Sequence, residues 1–172
     1  LVAKNLKIYL IHIESGMRSY NKSMPEEINR LISDHVSDLL LCSTKDSIDK
    51  LNNENIKKNA YYVGNLQLEL LKNVSEKYNN KQILIENKLT ENKYALMTIH
   101  RDYNTNKYML ESIFSELTKL TVDIVFPIHP RTKNVIEQNN IQIPENIKLI
   151  QPVHYLDMTI LERFCCYIIT DS

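Results

Sequence analysis

KIYLIHIESGMRSYNKSMPEEINRLISDHVSDLLLCST, residues 7–44, decides how the chain folds. Lys7 to Ile13 is apolar and β-branched, the composition of a buried strand. Glu14 stands at the carboxyl end of that strand, where open α/β sheets place their ligand contacts. A Gly turn and Arg18 follow. Pro25 then suits the first turn of a helix, where its missing N–H costs nothing. Glu26 and Glu27 sit favourably near the positive end of the helix dipole. Ile28, Leu31, Ile32, His35, Val36 and Leu39 recur at helical spacing and predict a helix packed on a sheet. Leu39 to Cys42 reads as the next strand. Strand, helix, strand in this order is a parallel βαβ unit.

The same alternation continues outward. Ser43 or Thr44 caps a helix over about 45–53, and Tyr61 to Val63 is a short strand closed by the Gly64-Asn65 turn. Residues 66–77 are helical, and a polar, Asn-rich stretch follows. We read 66–92 as the crossing between two domains, 1–65 and 93–172. In the second, Tyr94 to Ile99 is a buried strand ending in His100-Arg101. Asn104 or Thr105 caps a helix whose Leu110, Ile113, Phe114, Leu117 and Leu120 form one face. A strand at 122–128 ends in His129-Pro130-Arg131, with a short helix near 132–138. A strand at 147–150, a helix at 155–164 and a strand at 166–170 complete the pattern. The fold class is α/β, with two incomplete parallel-sheet domains.

Composition narrows the function. The 172 residues are 43% hydrophobic and 24% charged, enough for an ordinary core. Lys+Arg and Asp+Glu are both 21, and no basic run occurs, so nucleic acid is not an expected partner. The three cysteines show no metal-ligand spacing, and read as small hydrophobes in a reducing compartment. No apolar run reaches membrane length, so neither a membrane partner nor a metal is expected, and the expected location is the cytoplasm.

Polar, titratable residues collect at strand carboxyl ends in both halves. Two such halves facing each other would bring Glu14 and Glu26 opposite His100 and Ser172. Two carboxylates and a His suit proton abstraction and return. His, Arg and a helix N-terminus suit phosphate. Each residue also has a plainer reading. Glu14 fits a salt-bridged carboxylate, Glu26 a favourable helix start, Glu27 a structural acid, and His35 a satisfied core or rim histidine. The Tyr61-Tyr62 pair reads as strand packing.

Four ordered motifs carry a resemblance. HIESGMRS with MPEEINRLISDHVSDLLLCST (12–19, 24–44), TIHRDYN (98–104), FPIHPRT (126–132) and PVHYLDM…IITDS (152–172) resemble the signatures of the non-hydrolysing UDP-N-acetylglucosamine 2-epimerase family. The resemblance covers essentially the whole chain. It implies a GT-B-like pair of Rossmann-like domains and inversion at C2 of a UDP-amino sugar: the C2 proton is removed, UDP leaves C1, and UDP adds back after reprotonation. No cofactor is implied. By motif position, Glu14, Glu26 and His100 are the candidate catalytic residues. Arg18, Arg101, His129, Met158 and Ser172 are the candidate substrate or UDP contacts, Met158 standing where many members place an aromatic near the uracil. The resemblance further implies a homodimer for a full-length protein. The family's early phosphate loop, a further catalytic Asp, and the Gly-Gly after TDS have no counterpart in the sequence. The chain therefore reads as a central fragment or a truncated, non-catalytic homologue. A GT-B glycosyltransferase is the less suited reading, because transfer does not need the paired HIESG and MPEE motifs.

Overall fold

The structure is a computed structural model and describes residues 1–171; Ser172 lies outside the described residues. The chain forms two compact units, one spanning Leu1–Lys72 and the other beginning at Asn73.

In the first unit α1 (Val2–Asn5) precedes β1 (Ile11–Ser15), α2 (Pro25–Val36), β2 (Leu39–Cys42), α3 (Lys45–Asn53), β3 (Ala60–Tyr62) and the start of α4 (Leu66–Lys77). Among the described residues its sheet has the order β1-β2-β3, all parallel. The core is small: Leu40, Cys42 and Leu51, with Ile48, Ile56 and Ala60 packed around them. Thr44 caps α3, its Oγ1 accepting the Ser47 N–H at 3.1 Å.

Several expectations need correction here. The strand starts at Ile11 rather than Lys7. Asp38, just before β2, takes the Leu10 N–H at 2.8 Å and Lys4 Nζ at 2.6 Å, which ends the ladder at that point. The residues before it include Lys7, at φ 57°, and the exposed Ile8 and Tyr9. Helix α2 is also rolled from its predicted orientation. Ile28 and Ile32 are exposed, and so is His35, whose Nδ1 lies 2.9 Å from the Leu31 carbonyl. The buried residues of α2 are Glu27 and Asp34, seven apart on one face. Donors from residues 12–20 hold these two acids inward. Tyr61 and Tyr62 are exposed rather than packed, as are Ile11 and Ile13.

In the second unit come α5 (Gln82–Glu86), β4 (Tyr94–Thr98), α6 (Lys107–Leu117), β5 (Asp123–Pro127), α7 (Pro130–Gln138), β6 (Ile147–Ile150), α8 (Tyr155–Phe164) and β7 (Tyr167–Thr170). The described sheet is parallel, in the order β6-β5-β4-β7. β4 is buried on both faces. Ala95 and Met97 join Leu110, Phe114 and Ile136 of α6 and α7 in one cluster. Tyr94 and Leu96 join Leu84 of α5 and Ile160 and Leu161 of α8 in the other. A strand covered twice reads as the continuous apolar run YALMT. The five-residue α5, QILIE, falls in the stretch read as polar and Asn-rich; its Leu84 is buried and anchors it. The cap of α6 is Asn106, whose Oδ1 accepts the Met109 N–H at 3.1 Å, and not Asn104 or Thr105. No helix among the described residues is long and apolar enough to cross a membrane.

The strand order puts a switch point in this sheet. From β4 the chain steps outward through β5 and β6, then returns past β4 to β7. The crevice outside the carboxyl ends of β4 and β7 is where parallel sheets of this kind bind ligands.

Candidate functional site

The first unit builds a loop around Glu14. The β1–β2 register slips between Ile13 and Ser15, so Glu14 is the extra residue of a bulge. Its φ is +63°, in the left-handed region that a side-chain-bearing residue enters at a cost. Gly16 follows at φ +75°, where a Cβ would lie 2.4 Å from the Ser47 carbonyl oxygen. Glycine is therefore required, and the loop sits directly on the N-terminal turn of α3.

Beneath the loop lies a buried polar cluster. Arg18 Nε and Nη2 each donate to Glu54 at 2.6 Å, and Nη1 donates to Asp34 at 2.6 Å and to the Met17 carbonyl at 2.8 Å. The Arg18 and Asp34 side chains are wholly buried. Asp34 also accepts the Gly16 N–H at 3.1 Å and lies 2.6 Å from His12 Nδ1. A neutral His12 in that contact carries its proton on Nδ1 and leaves Nε2 as an acceptor. Glu27 accepts the Ser19 N–H and hydroxyl at 2.8 and 2.9 Å, and the Tyr20 N–H at 3.0 Å.

The charges match this geometry. The hydrogen bond to Glu54 raises the Arg18 pKa further, against the opposing effect of burial. Burial pushes the Asp34 carboxyl up, but hydrogen bonds from His12, Arg18 and Gly16 outweigh it and hold the group below the usual carboxylate range. Glu27 is lowered chiefly by the Ser19 N–H. All three are therefore committed to the loop. Glu14 itself is half-buried on this platform, and Glu26 is exposed in the first turn of α2.

The second unit builds a turn at the switch point. Asp171, after β7, accepts the N–H groups of His100 at 3.2 Å and Arg101 at 2.9 Å, and the Asn104 side-chain amide at 3.1 Å. Its Oδ1 is also 3.2 Å from His100 Nδ1. Burial works to raise the Asp171 pKa, and the donors from Arg101, Asn104 and His100 lower it overall. Arg101 Nε reaches the Asp171 carbonyl at 3.4 Å. His129 caps α7, its Nδ1 accepting the Arg131 N–H at 3.2 Å, and Arg131 pairs with Asp102 at 3.0 Å. Met158 packs partly buried against the core cluster of Leu96, Val125 and Ile160. An open recess of about 540 Å³ lies beside the carboxyl ends of β5 and β6, lined by Ile128, Ile150, Gln151, Val153, His154 and Asp157.

The structure thus brings His100 and Arg101 onto one acceptor in one unit, and Glu14 and Arg18 into one loop of the other. Sequence reading did not assign Asp34, Glu54 or Asp171 to the site, and read Asn104 only as a helix cap. Asp34 had a signal, since it falls seven residues after Glu27 on the same helix face.

The chain matches the UDP-N-acetylglucosamine 2-epimerase family over residues 1–172 and belongs to that family. It is 39% identical to a UDP-N-acetylglucosamine 2-epimerase homolog of Methanococcus maripaludis, over all of this chain and 50% of that protein. It is 34% identical to the UDP-2,3-diacetamido-2,3-dideoxy-D-glucuronate 2-epimerase of Pseudomonas aeruginosa, over all of this chain and 49% of that protein. The fold superposes on the crystal structure of Methanocaldococcus jannaschii UDP-GlcNAc 2-epimerase in complex with UDP-GlcNAc and UDP. The TM-score is 0.82 and the identity 35%, over 99% of this chain and 50% of that one. The chain spans about half the length of the relatives it matches.

Proposed function

We propose that this chain supplies acid–base and nucleotide-binding machinery for a UDP-2-acetamido-sugar 2-epimerase. The observation that carries the proposal is Glu14. A bulge with left-handed backbone holds a carboxylate at the carboxyl end of a parallel strand, on a platform of buried ion pairs. Such a backbone is retained where a side chain must be aimed.

In the reaction, the C2 proton is taken by a carboxylate, and the C1–O bond to the diphosphate breaks with the C2–H electron pair forming the C1=C2 bond of a 2-acetamidoglucal. UDP returns to C1 as a proton is delivered to the other face of C2. The sequence is redox-neutral and needs no electron carrier. Glu14 and Glu26 are the acid–base candidates. His100, oriented by Asp171, is suited to neutralise the departing diphosphate. Arg101, His129 and Ser172 are proposed as UDP contacts, and the recess beside β5 and β6 suits the uridine end, with Met158 packed nearby. Arg18 is proposed to hold the Glu14 loop. We also propose that residues 66–92 cross between the two domains, and that the intact gene product is a cytoplasmic homodimer that binds neither nucleic acid nor membrane.

The test is C2 exchange. The intact gene product, incubated with UDP-GlcNAc and with its 2,3-diacetamido uronate analogue in D2O, is expected to place deuterium at C2 of one of them. Glu14→Gln and His100→Ala should each slow exchange by about 100-fold or more. A folded protein that exchanges neither sugar refutes the assignment and favours a non-catalytic homologue.

A further inference from the structure

Glu14 occupies a left-handed backbone conformation, at φ +63°, and the structure shows what holds it there. One carboxylate, Asp34, meets the chain on both sides of it. Oδ1 is 2.6 Å from Nδ1 of His12, two residues before Glu14; Oδ2 accepts the N–H of Gly16, two residues after, at 3.1 Å. The same Oδ2 takes Arg18 Nη1 at 2.6 Å, and Arg18 is itself fixed by two bonds to Glu54. Asp34 comes from the last turn of α2 and its side chain is wholly buried. We propose that Asp34 is the positioning residue for Glu14: it spans the bulge and sets the direction in which the Glu14 carboxylate points.

The need for such a clamp follows from the ladder. The register runs Ile13 to Leu41 and then Ser15 to Cys42, with Glu14 left over. Without a constraint, a strand relieves a left-handed residue by sliding one place, which reverses the faces of every residue beyond it. His12 and Gly16 held by one carboxylate fix the span between them, and the slide is blocked. A carboxylate does this with no demand on the His12 tautomer beyond an Nδ1 proton, because its two oxygens accept from both sides at once. Asparagine offers one oxygen and turns an NH2 to the other side. It satisfies Gly16 and Arg18 only if His12 accepts on Nδ1, so the His12 proton moves to Nε2. The other buried acid of α2, Glu27, holds Ser19 and Tyr20 and does not flank Glu14.

The role rests on the reading of Glu14 as an acid–base residue, and the experiment separates the two. In the intact gene product, Asp34→Ala and Asp34→Asn are compared with the parent for turnover, KM and UDP affinity. Glu-selective labelling reports the Glu14 backbone coupling and Cα shift, which follow φ. The Asp34→Ala variant is expected to lose the left-handed signature at Glu14 and to slow about 100-fold, the scale of a misplaced catalytic group. UDP affinity should stay within about 3-fold of the parent, because the proposed UDP contacts lie in the second unit, and a cooperative urea transition of residues 39–62 followed by hydrogen exchange excludes general damage to the first. The Asp34→Asn variant should fall between, with the His12 proton moved to Nε2 by 15N shift. If Asp34→Ala does not fold, Asp34→Asn carries the test. An unchanged Glu14 signature in the folded variants, or turnover within about 3-fold of the parent, overturns the role. If the parent shows no C2 exchange, the epimerase reading fails, and the Glu14 signature alone decides whether Asp34 sets its backbone.

Discussion

Replacing Arg18 with Met tests the platform under the candidate loop. Arg18 makes three hydrogen bonds of 2.6 Å to two carboxylates and one of 2.8 Å to the Met17 carbonyl, with its side chain fully enclosed. Removing one partner of a buried ion pair costs about 3–5 kcal/mol, mostly through the charge left behind. Two features set this case at the lower end. Glu54 keeps 22% of its side-chain exposure and rehydrates, and Asp34 retains His12 and Gly16 as donors. We expect a loss of about 3 kcal/mol. With a urea dependence of about 1 kcal/mol per molar for a unit this small, the midpoint falls by about 3 M. Urea titration read by hydrogen exchange and mass spectrometry checks this, since the loss should appear in peptides from residues 11–62 and spare those from 94–170. A midpoint shift below about 0.5 M would refute the reasoning. Met would then replace the ion pairs at no cost, as some hydrophobic substitutions of buried salt bridges do.

Two further outcomes follow from the same loop and turn. Gly16→Ala should cost on the order of 3 kcal/mol, since it adds a backbone clash to a positive φ; Gly64→Ala, at φ +83° in open space, should cost only about 1 kcal/mol, and thermal unfolding compares them. Acid should also destabilise the protein. Glu27, Asp34 and Asp171 are all depressed in the folded state, so their contribution is fully present above the unfolded carboxyl value near pH ~4 and is lost as pH falls through their lower folded values. Urea midpoints that stay constant from neutral pH down to about 3 would contradict those shifts.

What could be read from the sequence followed how local its causes are. α3 was legible to its ends because Thr44 and the run after it define a cap and a helix within ten residues. β4 was legible because burial on both faces leaves an unbroken apolar run. Glu14 was found by its place at a strand end, but not its bulge, which depends on the partner register. The orientation of α2 was misread because apolar spacing favours Ile28 and Ile32, whereas the donors of the preceding loop draw in Glu27 and Asp34. Asp171 escaped notice as an anchor because its partners lie in the loop after β4, and only the sheet order brings the two together. The family motifs nominated candidate residues without their supports, since a motif records positions and not the side chains beneath them.

The pairing of β7 with β4 also has a consequence in time. His100 leaves the ribosome 71 residues before Asp171, the acceptor of its N–H. At about 5–20 residues per second, several seconds pass in which β4, β5 and β6 can align while the His100–Arg101 turn has nothing to close on. The His100–Arg101 turn is therefore a late event of synthesis, set when the strand after α8 inserts beside β4. A nascent chain stalled between β6 and β7 holds most of this sheet and none of its anchored turn.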